Sequence, residues 1–248
     1  MLKTIKAIKS ILAVSCLAFQ VFSQNDSLKQ VSLETTTEKE KFGDEIYAGI
    51  SHVYGYRTLK IREGLFAQPL GIREDEEAHW TMSFELGYRV KMTERFRLCF
   101  GMEFNQIGMQ YRTPNDSVFV GYNIVKQGIA TPIRTIFQPL MFGTQDDFMI
   151  QIGVGVAPKM FIASKYTTIE LNNFGQEEET VSTEKNGYNY FNVDALVNAG
   201  FRWNISNTIG LYFTPELRYG LLDTYDKQRP YVQRNYGLFL RWGLYWQL

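Results

Sequence analysis

Residues 80–90 read WTMSFELGYRV, and their order decides the fold. Trp80, Met82, Phe84, Leu86, Tyr88 and Val90 alternate strictly with Thr81, Ser83, Glu85, Gly87 and Arg89. A period of two places alternate side chains on opposite faces of an extended chain, so this is a strand with one apolar and one polar face. The last thirteen residues, YGLFLRWGLYWQL at 236–248, repeat the pattern: Tyr236, Leu238, Leu240, Trp242, Leu244, Trp246 and Leu248 share a face, and Gly237, Arg241, Gly243 and Gln247 fill most of the other.

The alternation recurs through the chain. One face each is made by Phe96, Leu98, Phe100, Met102 and Phe104; by Phe148, Ile150, Ile152, Val154 and Val156; by Phe191, Val193, Ala195, Val197, Ala199, Phe201 and Trp203; and by Leu211, Phe213, Leu217 and Tyr219. A less regular strand spans roughly 45–56, and another near 118–137 carries Ile129, Ile133 and Phe137. The expected total is eight strands. Their links alternate: Met92 to Arg95 and Asn204 to Asn207 are tight turns and Gln138 to Asp147 is moderate, whereas 57–78, 164–187 and 221–234 are long and polar. Only Thr113 to Ser117 departs from the pattern. Short links at one end and long ones at the other are the mark of an up-and-down barrel.

Two barrels share this alternation. A lipocalin-like carrier turns its apolar face inward onto a ligand, whereas a membrane barrel turns it outward to lipid. The polar face here carries Glu85, Glu103, Asp194, Glu216, Arg218 and Arg241 near strand centres, with nine glycines at 87, 101, 153, 155, 200, 210, 220, 237 and 243. Small residues and charges of both signs suit a cramped interior. The apolar face is aromatic toward both ends, with Trp80, Tyr219 and Tyr236 at the long-loop side and Phe96, Trp203 and Trp246 at the tight-turn side, as in the two interfacial girdles of an outer-membrane barrel. The expected fold is therefore an all-β, eight-stranded antiparallel transmembrane β-barrel over 45–248. Its last strand pairs with its first, because an open edge in lipid leaves backbone amides unpaired at several kcal/mol each.

The chain has 248 residues, 26 basic and 26 acidic, without the basic surplus of a nucleic-acid binder. Residues 1–23 read as a signal peptide: Lys3, Lys6 and Lys9 precede the apolar ILAVSCLAF, and Val21 and Ser23 suit a cleavage site. A lipoprotein cysteine at Cys16 is the rival, but Lys9 leaves little apolar sequence before it. Cleavage removes those three lysines and leaves 23 basic against 26 acidic groups, with Cys99 as the remaining cysteine, which excludes an internal disulfide. Residues 24–44 form a polar leader without periodicity. No run of 18 apolar residues follows, so no transmembrane helix is expected.

The segments IATPIRTIF, FMIQIGVGVAPKMFIAS, NVDALVNAGFRW, PELRYGLLD and GLFLRWGLYWQL resemble, in order, the second half of the Bacteroidota outer-membrane β-barrel domain often labelled PorT-like. The resemblance covers roughly 45–248 and is strongest after 129. It implies an eight-stranded barrel in the outer membrane, and one branch of that family belongs to the type IX secretion and gliding apparatus. It implies no site residues. The family tolerates proline at the places of Pro132 and Pro158, while Pro215, also inside an expected strand, suggests a bulge.

The candidate chemistry is the set of interior charges. Eight strands enclose a space that side chains fill, and buried charges must pair. If Trp203 faces Ile209, Asp194 lies opposite Arg218; Arg241 stands next to Glu216 and can also neutralise Glu85 and Glu103. A structural plug is the leading reading and a gated ion or proton path the other. His52 and His79 are the only histidines, and His79 at the extracellular end is the one candidate base for a lipid A-modifying enzyme. The acidic runs Glu74 to Glu77 and Glu177 to Glu179 are expected to be solvated loop, with divalent-ion bridging to lipopolysaccharide as the alternative. GVGVAP at 153–158 lies within a strand with no helix after it and is not a phosphate loop. The sequence thus points to a non-enzymatic barrel without cofactor or metal. Its expected contacts are outer-membrane lipid, lipopolysaccharide, the barrel-insertion machinery and envelope proteins. Accessory work in type IX secretion and a lipid A-modifying activity are the alternatives.

Overall fold

The computed structural model describes residues 43–62, 75–113, 119–143, 147–226 and 229–248. The segment expected as a signal peptide, almost all of the expected leader and Glu74 lie outside them. The strands are β1 (Glu45–Ile61), β2 (Glu77–Lys91), β3 (Phe96–Arg112), β4 (Phe119–Ala130), β5 (Ile133–Phe142), β6 (Phe148–Leu171), β7 (Glu177–Glu184), β8 (Phe191–Asn204), β9 (Ile209–Gly220) and β10 (Tyr231–Gln247). All pairings are antiparallel, and β1 pairs with β10 from Glu45↔Gln247 to Ile61↔Tyr231, closing the ring.

Ten strands make a ring of eight. The expected strand near 118–137 is two pieces, β4 and β5, which occupy one place between β3 and β6 and are interrupted at Thr131–Pro132. Register continues across the break: Glu103↔Ala130 on one side and Phe100↔Ile133 on the other. Proline has no amide hydrogen to give the ladder, so the chain parts there; the flanking groups are recruited as Thr131 N–H to the Pro158 carbonyl at 2.8 Å and Gly101 N–H to the Pro132 carbonyl at 3.0 Å.

The segment expected as a long loop at 164–187 is mostly strand. β6 runs on to Leu171, and β7 returns along it from Leu171↔Glu177 to Ser164↔Glu184. Every residue of β7 is exposed. A strand exposed on both faces, as β7 is, has no reason to alternate apolar with polar, which is why periodicity does not announce it. Pro215 produces no bulge, as Leu240↔Pro215 sits in a continuous β9–β10 register and the β8–β9 ladder keeps its register on either side of it.

Outward positions are apolar and uncovered: Leu86 is 60% exposed, Met102 64%, Val154 55% and Leu217 62%. Inward positions are buried whatever their polarity, including Arg97, Arg134 and Arg202 at 1% or less. The inward residues of β1 give the order of the interior from the tight-turn rim upward: Glu45, Tyr47, Gly49, Ser51, Val53, Gly55 and Arg57. Glycine appears opposite the rings. A Cβ on Gly210 would run into the Tyr245 ring, and one on Gly87 into Tyr47. An apolar cluster of Val53, Ile107, Met109, Tyr111, Tyr122, Ile124 and Phe239 fills part of the upper lumen. Because β1 carries apolar residues on both faces, its alternation is blurred in the sequence.

Candidate functional site

Interior parity brings charges from distant strands into layers. In the central layer, Arg134 of β5 bonds Glu85 of β2 at 2.5 Å and Glu216 of β9 at 2.7 Å. Arg241 of β10 bonds the same two carboxylates at 2.6 and 3.3 Å. Arg218 of β9 grips Glu103 of β3 with two nitrogens, at 2.9 and 2.6 Å, and Glu216 at 2.7 Å. β3 and β9 are four places apart in a ring of eight, so this pair spans the lumen across its diameter. Tyr47 donates to Glu85 at 2.8 Å, Asn105 to Glu103 at 2.7 Å and Asn198 to Glu216 at 3.4 Å. Three guanidinium groups thus meet three carboxylates, all buried, with neutral donors taking further lone pairs, which is the condition for ionised groups to survive out of water.

Five of the six expected interior charges, Glu85, Glu103, Glu216, Arg218 and Arg241, meet there. Asp194 does not. β8 and β9 pair as Trp203↔Leu211, two residues from the expected register, so Asp194 faces Gly220 and Arg218 faces Leu196. Asp194 bonds Lys159 at 2.7 Å instead. The longer turn, in which Ile205 and Ser206 amides both donate to the Ile209 carbonyl, makes the difference.

Arg134 joins two halves of the network, although it is not among the expected interior charges. Its signal was present: between Ile133 and Thr135, on the face opposite Ile133 and Phe137, it has inward parity. The same holds for a second layer at the tight-turn rim, where the single carboxylate of Glu45 meets Arg89, Arg97 and Arg202 at 2.8, 2.9 and 2.6 Å. Aromatic rings share that load. Arg202 lies 3.9 Å from the Tyr245 ring centre and Arg89 5.1 Å from that of Tyr47. Arg97 also donates to Gln138 at 3.2 Å and to the Gly43 carbonyl at 3.3 Å. Just outside the barrel, Asp44 accepts from the Tyr88 hydroxyl at 2.6 Å and the Lys91 amide at 3.0 Å, which together hold its carboxyl below the usual range.

A third layer lies at the opposite mouth. Glu76, expected in a solvated acidic run, is buried and bonded by Arg57 and the Tyr122 hydroxyl. Arg57 also donates to Gln233 at 3.0 Å and Tyr225 at 3.1 Å. The run continues into β2, whose inward parity is odd for Thr81 and Ser83; Glu76 precedes the strand and folds over the rim, which spacing alone does not reveal. By contrast, Glu177, Glu178 and Glu179 are exposed on β7, with Glu177 3.3 Å from Arg112.

The six aromatic residues expected in girdles all point outward. Trp80 is 53% exposed, packed on Tyr54 at 4.9 Å, and Tyr219 and Tyr236 pair across β9 and β10, with Tyr236 5.5 Å from Tyr56. At the other end Trp203 pairs with Phe148, Trp246 with Ile46, and Phe96 packs on Phe137 at 4.8 Å. His79 Nδ1 lies 3.0 Å from the Gln110 side-chain amide oxygen, to which its N–H donates, and His52 faces outward beside Trp242, whose indole nitrogen lies 3.3 Å from its Nδ1. No cluster of histidine, cysteine or carboxylate suited to a metal occurs among the described residues.

Comparison with known proteins gives likeness of fold. Neisserial surface protein A matches at 11% identity over 83% of this chain and 97% of its own, with a TM-score of 0.40. Ail, the attachment invasion locus protein of Yersinia pestis, matches at 13% over 82% and 99%, TM-score 0.36. The outer membrane protein OprG from Pseudomonas aeruginosa matches at 12% over 84% and 97%, TM-score 0.45. No family model matches the chain, and no curated protein does.

Proposed function

We propose that this chain is a non-enzymatic outer-membrane barrel whose lumen is plugged by its own charges, and that it works through its rims, in envelope structure, surface binding or a larger outer-membrane assembly. One observation carries the reading: the bond between Arg218 and Glu103 runs across the diameter of an eight-stranded ring, and Arg134 and Arg241 close the rest of that level. Opening a path there would separate three buried ion pairs, each costing several kcal/mol to break. The outward aromatic rows and the uncovered apolar wall support residence in lipid, with lipopolysaccharide as the outer neighbour. β7, exposed along its whole length, is the surface for binding.

The test is conductance of the purified chain in a planar bilayer. Silence is expected; a stable open level overturns the plug.

A second reading is supported by the resemblance of IATPIRTIF through GLFLRWGLYWQL to PorT-like barrels of Bacteroidota, which favours service as an accessory subunit of type IX secretion. Co-purification with secretion components from cross-linked envelopes supports it, and recovery of the barrel free of them counts against it. Export by a signal peptide cleaved before Gln24 belongs to both readings, and the amino-terminal sequence of the mature protein tests it.

A further inference from the structure

The charges at the extracellular mouth do not balance. Among the described residues, Arg57, Lys126 and Lys159 bring three cations to this part of the lumen, and Glu76 and Asp194 two carboxylates. Arg57 and Tyr122 take Glu76, and Lys159 takes Asp194 at 2.7 Å. Higher still, Arg62 and Asp223 satisfy each other at 2.6 Å. Lys126 remains. It is 5% exposed, opposite Ser164 in the β4–β6 ladder, and its Nζ is buried with no hydrogen-bond partner.

Its immediate neighbours are aromatic faces. The Tyr188 and Tyr225 ring centres lie 5.4 and 5.1 Å from Nζ. The two tyrosines come from different connections, after β7 and after β9, and are joined by an isolated antiparallel bridge. Tyr188 also stacks on Phe161 at 4.5 Å. Ring faces attract a cation, but they accept none of its three N–H bonds in full, and a buried charge needs a counter-charge.

Space for one is present. A cavity of about 30 Å³ is lined by the polar side chains of Lys126, Lys159, Asn105, Asn192, Thr224 and Asn235 together with the apolar Ile107, Met160 and Phe161. The Thr224 hydroxyl, like the amine, is buried without a partner. A water-sized occupant needs at least about 10–15 Å³ of such space, so the cavity admits one small ion or a pair of waters and excludes a sugar, a nucleotide or a lipid headgroup.

We propose that this cavity is a binding site for a small monovalent inorganic anion of chloride size, held by the Lys126 ammonium and the Thr224 hydroxyl. The anion supplies the negative charge that the protein omits at this level. This inference does not depend on whether the lumen conducts.

The experiment uses the purified full chain in detergent. Its thermal midpoint is followed as sodium gluconate is replaced by sodium chloride at constant ionic strength, in the native protein, in Lys126→Met and in Thr224→Val. The native midpoint should climb with chloride and level off at saturation. Lys126→Met, which keeps the length and loses the charge, should be flat, and Thr224→Val should need more chloride for the same rise. A native midpoint indifferent to chloride, or a Lys126→Met protein that keeps the native response, overturns the proposal. Should Lys126→Met fail to fold, crystals of the native protein grown in sodium bromide decide: an anomalous peak within hydrogen-bond distance of Nζ supports the site, and its absence overturns it.

Discussion

Leu86 on the barrel wall and Val181 on the hairpin are almost equally uncovered, 60% and 52% exposed, and both sit in antiparallel ladders. Their surroundings differ in every other way. Behind Leu86 the strand carries Glu85, sealed in the lumen and held by two arginines; beside Val181 stand Thr180 and Ser182, exposed like the rest of β7. The wall separates a medium without water from an interior with none to spare, so polar and apolar residues must be sorted to opposite faces. β7 is exposed on both sides, so nothing is sorted. What the contrast teaches is that exposure alone does not describe a residue's energetics in this protein; the solvent on that side does.

The contrast is tested hardest inside the wall. Arg134→Met removes the cation shared by Glu85 and Glu216 and leaves Arg241 alone between them. A loss of about 3 to 5 kcal/mol is expected, the range for breaking a buried pair, measured as a shift in the urea unfolding midpoint of the refolded barrel. A near-native midpoint would mean that water reaches this layer.

Next in size is the wall itself. Leu86→Arg should destabilise by about 2 to 4 kcal/mol if this position faces the bilayer midplane, whereas Val181→Arg should stay within about 0.5 kcal/mol, as surface changes do. The two variants, refolded into the same lipid and unfolded in parallel, either separate or abolish the distinction.

The smallest effect is at the tight-turn rim, where charge meets water. Asp44 is partly exposed, and its carboxyl is held below the ordinary value by the Tyr88 hydroxyl and the Lys91 amide. The folded state therefore favours the ionised form. That contribution is complete above the ordinary carboxylate value of about 3.9 and is lost as pH falls through the lowered one. The Lys91 amide resonance should titrate with a midpoint below about 3.9, and Asp44→Asn should remove the titration.

Much of this was readable from residue order. In residues 80–90 every outward and inward assignment follows from parity, and Trp80, Trp203 and Trp246 stand on the outer face as their spacing requires. Parity also marked Arg89, Arg97, Arg134 and Arg202 as inward, although Arg134 lies in a strand that Pro132 cuts short and that periodicity therefore renders faintly. β7 left no trace, because a period of two in hydrophobicity arises only where two sides of a strand meet different media.

The sequence by itself determined the barrel, its count of eight, the direction of its greasy face and which side chains enter the lumen, since each depends on local alternation set by the extended backbone. Only the tertiary structure decided who meets whom. Asp194 went to Lys159 and not Arg218 because the β8–β9 register slipped by two, Glu76 folded over the rim from outside any strand, and Lys126 was left without a carboxylate. Partnership across a lumen depends on register and closure, which are summed over the whole ring and written in no single strand.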